Sequence, residues 1–170
     1  MLDSVTERLR AAGIAFAAVD LDALSWAYPP APGDDQYRSG LMFQNLASVW
    51  NNFRNAGASR LVCARVVESR EELDRYRAAI PDAAISVARL RASDETLRAR
   101  LSRRLARRDL IEGQDGVNEP ARREGRAARS RELAERMDRQ HFEDILVETD
   151  GRDVDAVARD VLRGAGWPGA

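Results

Sequence analysis

Lysine is missing from this 170-residue chain, and all 27 of its basic side chains are arginine. The absence rules out one motif, because a phosphate-binding loop of the form G-x-x-x-x-G-K-[ST] cannot be written anywhere in residues 1–170. Cysteine is almost as scarce. The one thiol, Cys63, allows no intrachain disulfide, and its place in the apolar run Leu61-Val62-Cys63-Ala64 predicts a buried structural side chain. A single histidine, His141, has no cluster to join as a metal ligand and reads as a solvated or helix-terminal residue beside Phe142. No apolar run approaches the length of a membrane span. Met1-Leu2-Asp3-Ser4 offers neither a basic nor an apolar leader segment, so a cytoplasmic location is expected.

The chain does have a balanced composition, 44% hydrophobic and 32% charged, which is too apolar for a disordered polymer. One compact domain over residues 1–170 is the expectation for this length. The net charge of −1 hides a division: Arg98 to Arg139 holds 13 arginines against 8 acids, a balance of +5, while the remaining 14 arginines face 20 acids, −6. A basic arm on an acidic body suits an anionic ligand or the body itself. Acids interleave with the arm's arginines, which argues against a continuous nucleic-acid track.

Four short apolar runs, Ile14–Asp20, Arg60–Val67, Ile85–Arg91 and Ile145–Thr149, alternate with amphipathic stretches, as parallel strands joined by crossover helices do. They are continuous in hydrophobicity where a strand with one wet face would alternate, so both faces should be covered. This predicts an α/β fold, a parallel sheet with flanking helices. Leu46, Val49, Trp50 and Phe53 share a helical face, and so do Leu97, Leu101 and Leu105, and Val154, Val157, Val161 and Leu162. Ser69 with Glu72, and Ser4 with Glu7, read as capping boxes. Pro29 to Asp35 must be loop. The segment from Asp109 to about Pro120 separates two arginine-rich helices, which predicts a helix-loop-helix flap; its Gly113 and Gly116 lack calcium-loop spacing.

In open parallel sheets ligands lie beyond the carboxyl ends of the strands. Those ends carry Asp20 and Asp22, Arg65 and Glu68, Arg89 and Arg91, and Glu148, Thr149 and Asp150. Carboxylates facing arginines across one cleft suit an anionic substrate with a hydroxyl to orient or deprotonate. The same residues could equally cap helices and pair with each other.

The strand ending in Asp20-Leu21-Asp22, the run Val87-Ala88-Arg89-Leu90-Arg91 with its following Arg-Leu-x-x-Arg helix (Arg100 to Arg104), and the closing Ile145-Leu146-Val147-Glu148-Thr149-Asp150-Gly151-Arg152 together resemble the small-molecule kinase branch of the P-loop nucleoside triphosphatases. The similar families are adenylylsulfate-kinase-like, gluconate-kinase-like and zeta-toxin-like, and the likeness covers roughly residues 5 to 163. It implies a three-layer sandwich, with an acceptor loop at 26–40 and an arginine-rich helical lid at about 98–139. By the same resemblance Asp22, and next Asp20, are the catalytic carboxylates. Arg100 and Arg104 reach the transferring phosphates, and Asp150, Gly151 and Arg152 flank the adenine. Trp26, Tyr37, Arg38, Arg65 and Arg89 meet the acceptor, though Trp26, Tyr28, Tyr37 and Arg38 could instead form an aromatic surface patch.

ATP, with magnesium bridging its phosphates, is the expected ligand of a complete family member, and a small molecule is its acceptor. The strand and Gly-Lys-Ser/Thr loop with which such proteins open have no counterpart in this sequence. A chain without them is expected to be inactive or truncated, or to serve as a non-catalytic interaction module. The missing strand is normally central, so unpaired sheet edges and a homo-oligomer through them are further expectations.

Overall fold

The structure is a computed structural model and describes residues 1–29, 39–112 and 120–170, the side chains of 105–112, 120–123 and 126 apart. Helix α1 (Leu2–Ala11) leads into strand β1 (Phe16–Asp20), a 3-10 turn (Leu21–Ser25) and helix α2 (Ser39–Asn55). Strand β2 (Arg60–Ala64), helix α3 (Arg70–Ala79) and strand β3 (Ala88–Arg91) follow. Two long helices, α4 (Asp94–Glu112) and α5 (Pro120–Gln140), precede strand β4 (Ile145–Glu148) and helix α6 (Val154–Gly164). The chain is thus mixed α/β. Each apolar run contributes its strand, shortened by up to three residues at one end or the other.

Parallel pairing is present, but the strands form two sheets of two. Strand β1 pairs with β2 in the register Phe16 to Arg60, and β3 pairs with β4 in the register Ala88 to Ile145. The expectation of one parallel sheet is corrected here: among the described residues no ladder joins β2 to β3. The physical reason is that β2 and β3 lie on either side of a cleft instead of within hydrogen-bonding distance. Val62 to Val67 and Val87 to Ala92 line its two walls.

Two cores explain the continuous hydrophobicity of the strands. On one face Leu21, Met42, Phe43, Leu46, Tyr76 and Ile80 are buried with Val19 and Leu61 against them, and Phe43 meets Tyr76 edge-on at 4.8 Å between ring centroids. On the other, Val5, Leu9, Ala158 and Leu162 are buried against Phe16 and Val62. Leu61 and Val62 thus serve opposite layers, the period-two consequence of a strand covered on both sides. Helix α6 reaches further. It packs on α1, which lies on the β1–β2 pair, and also on β4 of the second pair. Arg8 and Asp155 tie α1 to α6 through two short hydrogen bonds, 2.7 and 2.6 Å.

Helix punctuation divides the sequence readings. Ser69 caps α3 by accepting from Glu72 N at 3.2 Å, and Glu72 reaches back to Glu68 N at 2.7 Å, one residue earlier than a standard capping box. The box read at Ser4 and Glu7 is corrected: α1 already starts at Leu2 and its cap, Met1, supplies no side-chain hydrogen bond. Buried Val5 and Leu9 set that register, because sliding the start to Ser4 would shorten the packed helix by most of a turn. In α6, Val157 and Leu162 are buried as the stripe predicts, but Val154 in the first turn is half exposed.

Two outcomes check this packing. A Cβ at Gly164 would stand 2.6 Å from Cγ2 of Ile145, so Gly164→Ala should lower unfolding free energy by about 1–3 kcal/mol despite alanine's better helix propensity. The loss should shrink in an Ile145→Ala background, and denaturant titration of the four chains reads the coupling. The hydrogen bond from Arg8 holds the Asp155 carboxyl below its ordinary 3.8. A depressed carboxylate contributes stability above its unfolded value and loses it as pH falls through the folded one. Asp155→Asn should therefore flatten the acid limb of the stability profile below about pH 4 and leave its neutral-to-alkaline shape alone.

Candidate functional site

The carboxyl ends of all four strands carry the charged residues foreseen for them, but most are wired to their neighbours. At the end of β1, Asp20 accepts from Asp22 N at 3.1 Å and so caps the 3-10 turn. That bond fixes its carboxylate in a local structural task. Asp22 stands free of the turn, with a 73% exposed side chain, and meets Arg65 from the end of β2 at 3.7 Å. Arg65 is the buried member of this pair, 10% exposed, and its Nη1 makes no hydrogen bond. Of the two carboxylates put forward for catalysis, Asp22 alone is disposed toward solvent beside a guanidinium.

Beyond β2, Glu68 takes an ion pair from Arg136 and a longer one, 3.9 Å, from Arg129, both on α5. On the far side of the cleft Arg89 is buried and engaged with the same helix. It contacts Asp138 at 2.8 Å and Ala134 O at 3.0 Å, with Glu143 at 3.5 Å. Arg91 pairs with Glu148 on the adjacent strand, and with Asp138 at 3.7 Å. Arg89 thus braces β3 against α5 on the wall of the cleft. Helix α5 spans the cleft, held at Glu68 on one side and at Arg89 on the other.

The start of α4 is fixed to the end of β4. Asp150 accepts from Ser93 N at 3.1 and 3.0 Å through its two oxygens, and hydrogen bonds from Ser93, hydroxyl and then amide, hold its carboxyl below the ordinary value. Arg100 donates to Thr149 Oγ1 and to Thr149 O, both at 2.9 Å, and Thr149 is itself buried. Arg131 of α5 and Arg98 of α4 share Asp94 at 3.3 and 2.9 Å, which joins the two arms. Arg104 lies one turn beyond Arg100, exposed, in a small depression with Leu97, Leu101 and Ala127. Gly151 takes a φ of +66°, the left-handed turn that suits a residue without Cβ. Arg152 folds onto α6, where it meets Asp160 at 2.7 Å.

Trp26 is 84% exposed at the end of the 3-10 turn, with Tyr28 exposed beyond it. An aromatic patch packed on the body is thereby ruled out for these two side chains. Tyr37 and Arg38 lie outside the described residues. His141 ends α5 with a φ of +42° and an exposed ring, as the helix-terminal reading has it. Among the described residues no group of three His, Cys, Asp or Glu side chains converges on a common point.

A triphosphate with magnesium fits this set poorly. The sequence contains no Gly-Lys-Ser/Thr loop, and Asp20, Asp150, Arg100 and Arg152 are committed to turns, caps and helix contacts.

No family model matches the chain, and comparison with the curated proteins and with solved structures finds no match.

Sequence reasoning missed the cleft itself. Two connected hollows of about 530 and 480 Å³ open on its two faces and share Cys63, Arg65, Val67, Val87 and Ala88 as walls. Cys63 corrects its reading as buried: β2 has no neighbour on that side, so the thiol reaches solvent along the cleft wall. The wall is concave, and the surrounding protein strips enough hydration to push the thiol up to about 12. Iodoacetamide labelling at neutral pH should therefore be slower in the native chain than in urea, and equal rates would contradict the assignment.

Proposed function

We propose that residues 1–170 are the body of a kinase-like, nucleotide-handling protein of the P-loop type, a three-layer sandwich in its complete form. That form would transfer the γ-phosphoryl group of ATP to a small molecule. The observation that carries this reading is the pairing of Asp22 with Arg65 at the carboxyl ends of neighbouring parallel strands, the edge where such folds hold their substrates. Asp22 is placed to accept a proton or hydrogen bond from an acceptor hydroxyl, and Arg65 to balance an adjacent negative group. The α4–α5 pair over the same edge supports a lid, anchored at its root by Arg100 and Asp150.

Residues 1–170 supply no lysine and no glycine-rich cradle, which contribute much of the charge neutralisation in phosphoryl transfer. This segment alone is therefore inactive as a kinase. A longer polypeptide carrying a strand and phosphate loop ahead of Met1 would supply them.

One observation favours a second reading, a non-catalytic interaction module. Among the described residues the cleft leaves the facing edges of β2 and β3 without a ladder partner, and such edges recruit polypeptide. Homo-oligomerisation is one form of that reading.

Titration calorimetry of residues 1–170 with ATP and magnesium tests whether this segment alone holds nucleotide. The expected result is a Kd weaker than about 1 mM, with no phosphoryl transfer to a panel of polyols, nucleosides and sugars. Tight binding would show that the cleft serves nucleotide without a phosphate loop.

A further inference from the structure

The cleft between β2 and β3 has the features of a seat for one polypeptide strand. Its two walls run in the same direction. Ser59 and Arg60, at the start of β2, line one hollow with Ser86 and Val87, which lead into β3; past the carboxyl ends, Glu68 after β2 and Asp94 after β3 are held by Arg129 and Arg131 of α5. Among the described residues the backbone edges facing the gap carry no ladder. The walls are largely apolar, with Val62, Ala64 and Leu90 on the strands, Val66 just past β2, and Leu97, Leu133 and Met137 above them. An inserted strand would be covered on both faces and would need continuous apolar side chains.

One end of the cleft is electropositive in a specific way. Helix α1 leaves its last residue, Ala11, five positions before β1 begins, so its amino end lies level with the carboxyl ends of the strands. Met1, Leu2 and Val5 line the cleft there, and no side chain caps the helix. Arg65 lines the same hollow, nine-tenths buried, with an Nη1 that makes no hydrogen bond and faces Asp22 at ion-pair distance. Asp22 offsets Arg65 only from solvent at 3.7 Å, while Glu68 is occupied by Arg136 and Arg129. A helix amino end and an incompletely bonded guanidinium together favour a carboxylate.

We propose that this cleft takes the uncharged carboxyl-terminal strand of a partner polypeptide, lying parallel to β2 and β3 with its terminal carboxylate between Arg65 and the amino end of α1. The inference rests on the interaction reading above and is independent of nucleotide binding. Main-chain hydrogen bonds to both walls supply affinity, and the carboxylate fixes direction and register.

The test uses the 170-residue chain and a soluble carrier ending in Val-Leu-Val-Val-Ala, made as the free acid, as the amide, and with a central proline. Hydrogen exchange should show new protection at Leu61 to Ala64 and Arg89 to Arg91 with the free acid and none with the proline form. The amide should bind about tenfold more weakly, the discrimination of one charge-assisted hydrogen bond. Arg65→Met should abolish the acid-over-amide preference while retaining strand protection, and Arg65→Lys should keep the preference. The proposal is overturned by absent protection, by equal protection from the proline form, or by equal affinity for acid and amide. Protection of the same amides by raising the concentration of the chain alone would assign the cleft to a second copy instead.

Discussion

Helix α6 is the element on which the rest depends. Among the described residues the two strand pairs share no backbone ladder, so the usual cement of a parallel sheet is missing at its centre. Leu162 and Ala158 bury against Val5 and Leu9 of α1, which rides on the first pair, while the far end of α6 lies on Ile145 of the second. At the opposite side of the cleft α5 makes the second bridge, from Glu68 to Arg89. One bridge is mainly apolar, with the Arg8–Asp155 pair beside it, and the other is ionic. Hydrophobic contact tolerates salt, whereas partly exposed ion pairs are screened by it, so the two bridges respond to different solvents.

Much of the fold was legible because its signals are local. The continuous apolar runs became strands since both of their faces are covered, as Leu61 and Val62 display by serving opposite cores. Ser69 and Glu72 punctuated α3 as a three-residue spacing allows. What stayed hidden was non-local. Whether β2 meets β3 depends on a strand between them, and nothing in either segment's own pattern encodes the answer. The sequence reading foresaw unpaired edges but not that they would remain apart across a hollow. Cys63 was misread for the same cause, since its exposure comes from the missing neighbour and its own apolar surroundings predict the reverse.

The candidate site was legible in position more than in use. Reading charged residues off the strand ends located Asp22, Arg65 and Asp150 on one edge of the molecule. It could not tell which of them would be consumed by the scaffold. Asp20 caps a turn through a bond two residues away, while Arg89 braces α5 and Arg152 clasps α6 by bonds to residues that become neighbours only on folding. Asp22 and Trp26 keep their faces to solvent.

The anchoring of α4 has a mechanical side. Asp150 and Arg100 pin its first two turns to the end of β4, so any swing of this arm must begin past Arg100. From there to Glu112 the helix extends 12 residues, or about 18 Å at 1.5 Å per residue. A pivot of about 10° would carry that tip roughly 3 Å, on the scale of a hydrogen bond. The arm is thus a lever with a fixed fulcrum, converting small angular play at its root into contact made or broken at its end.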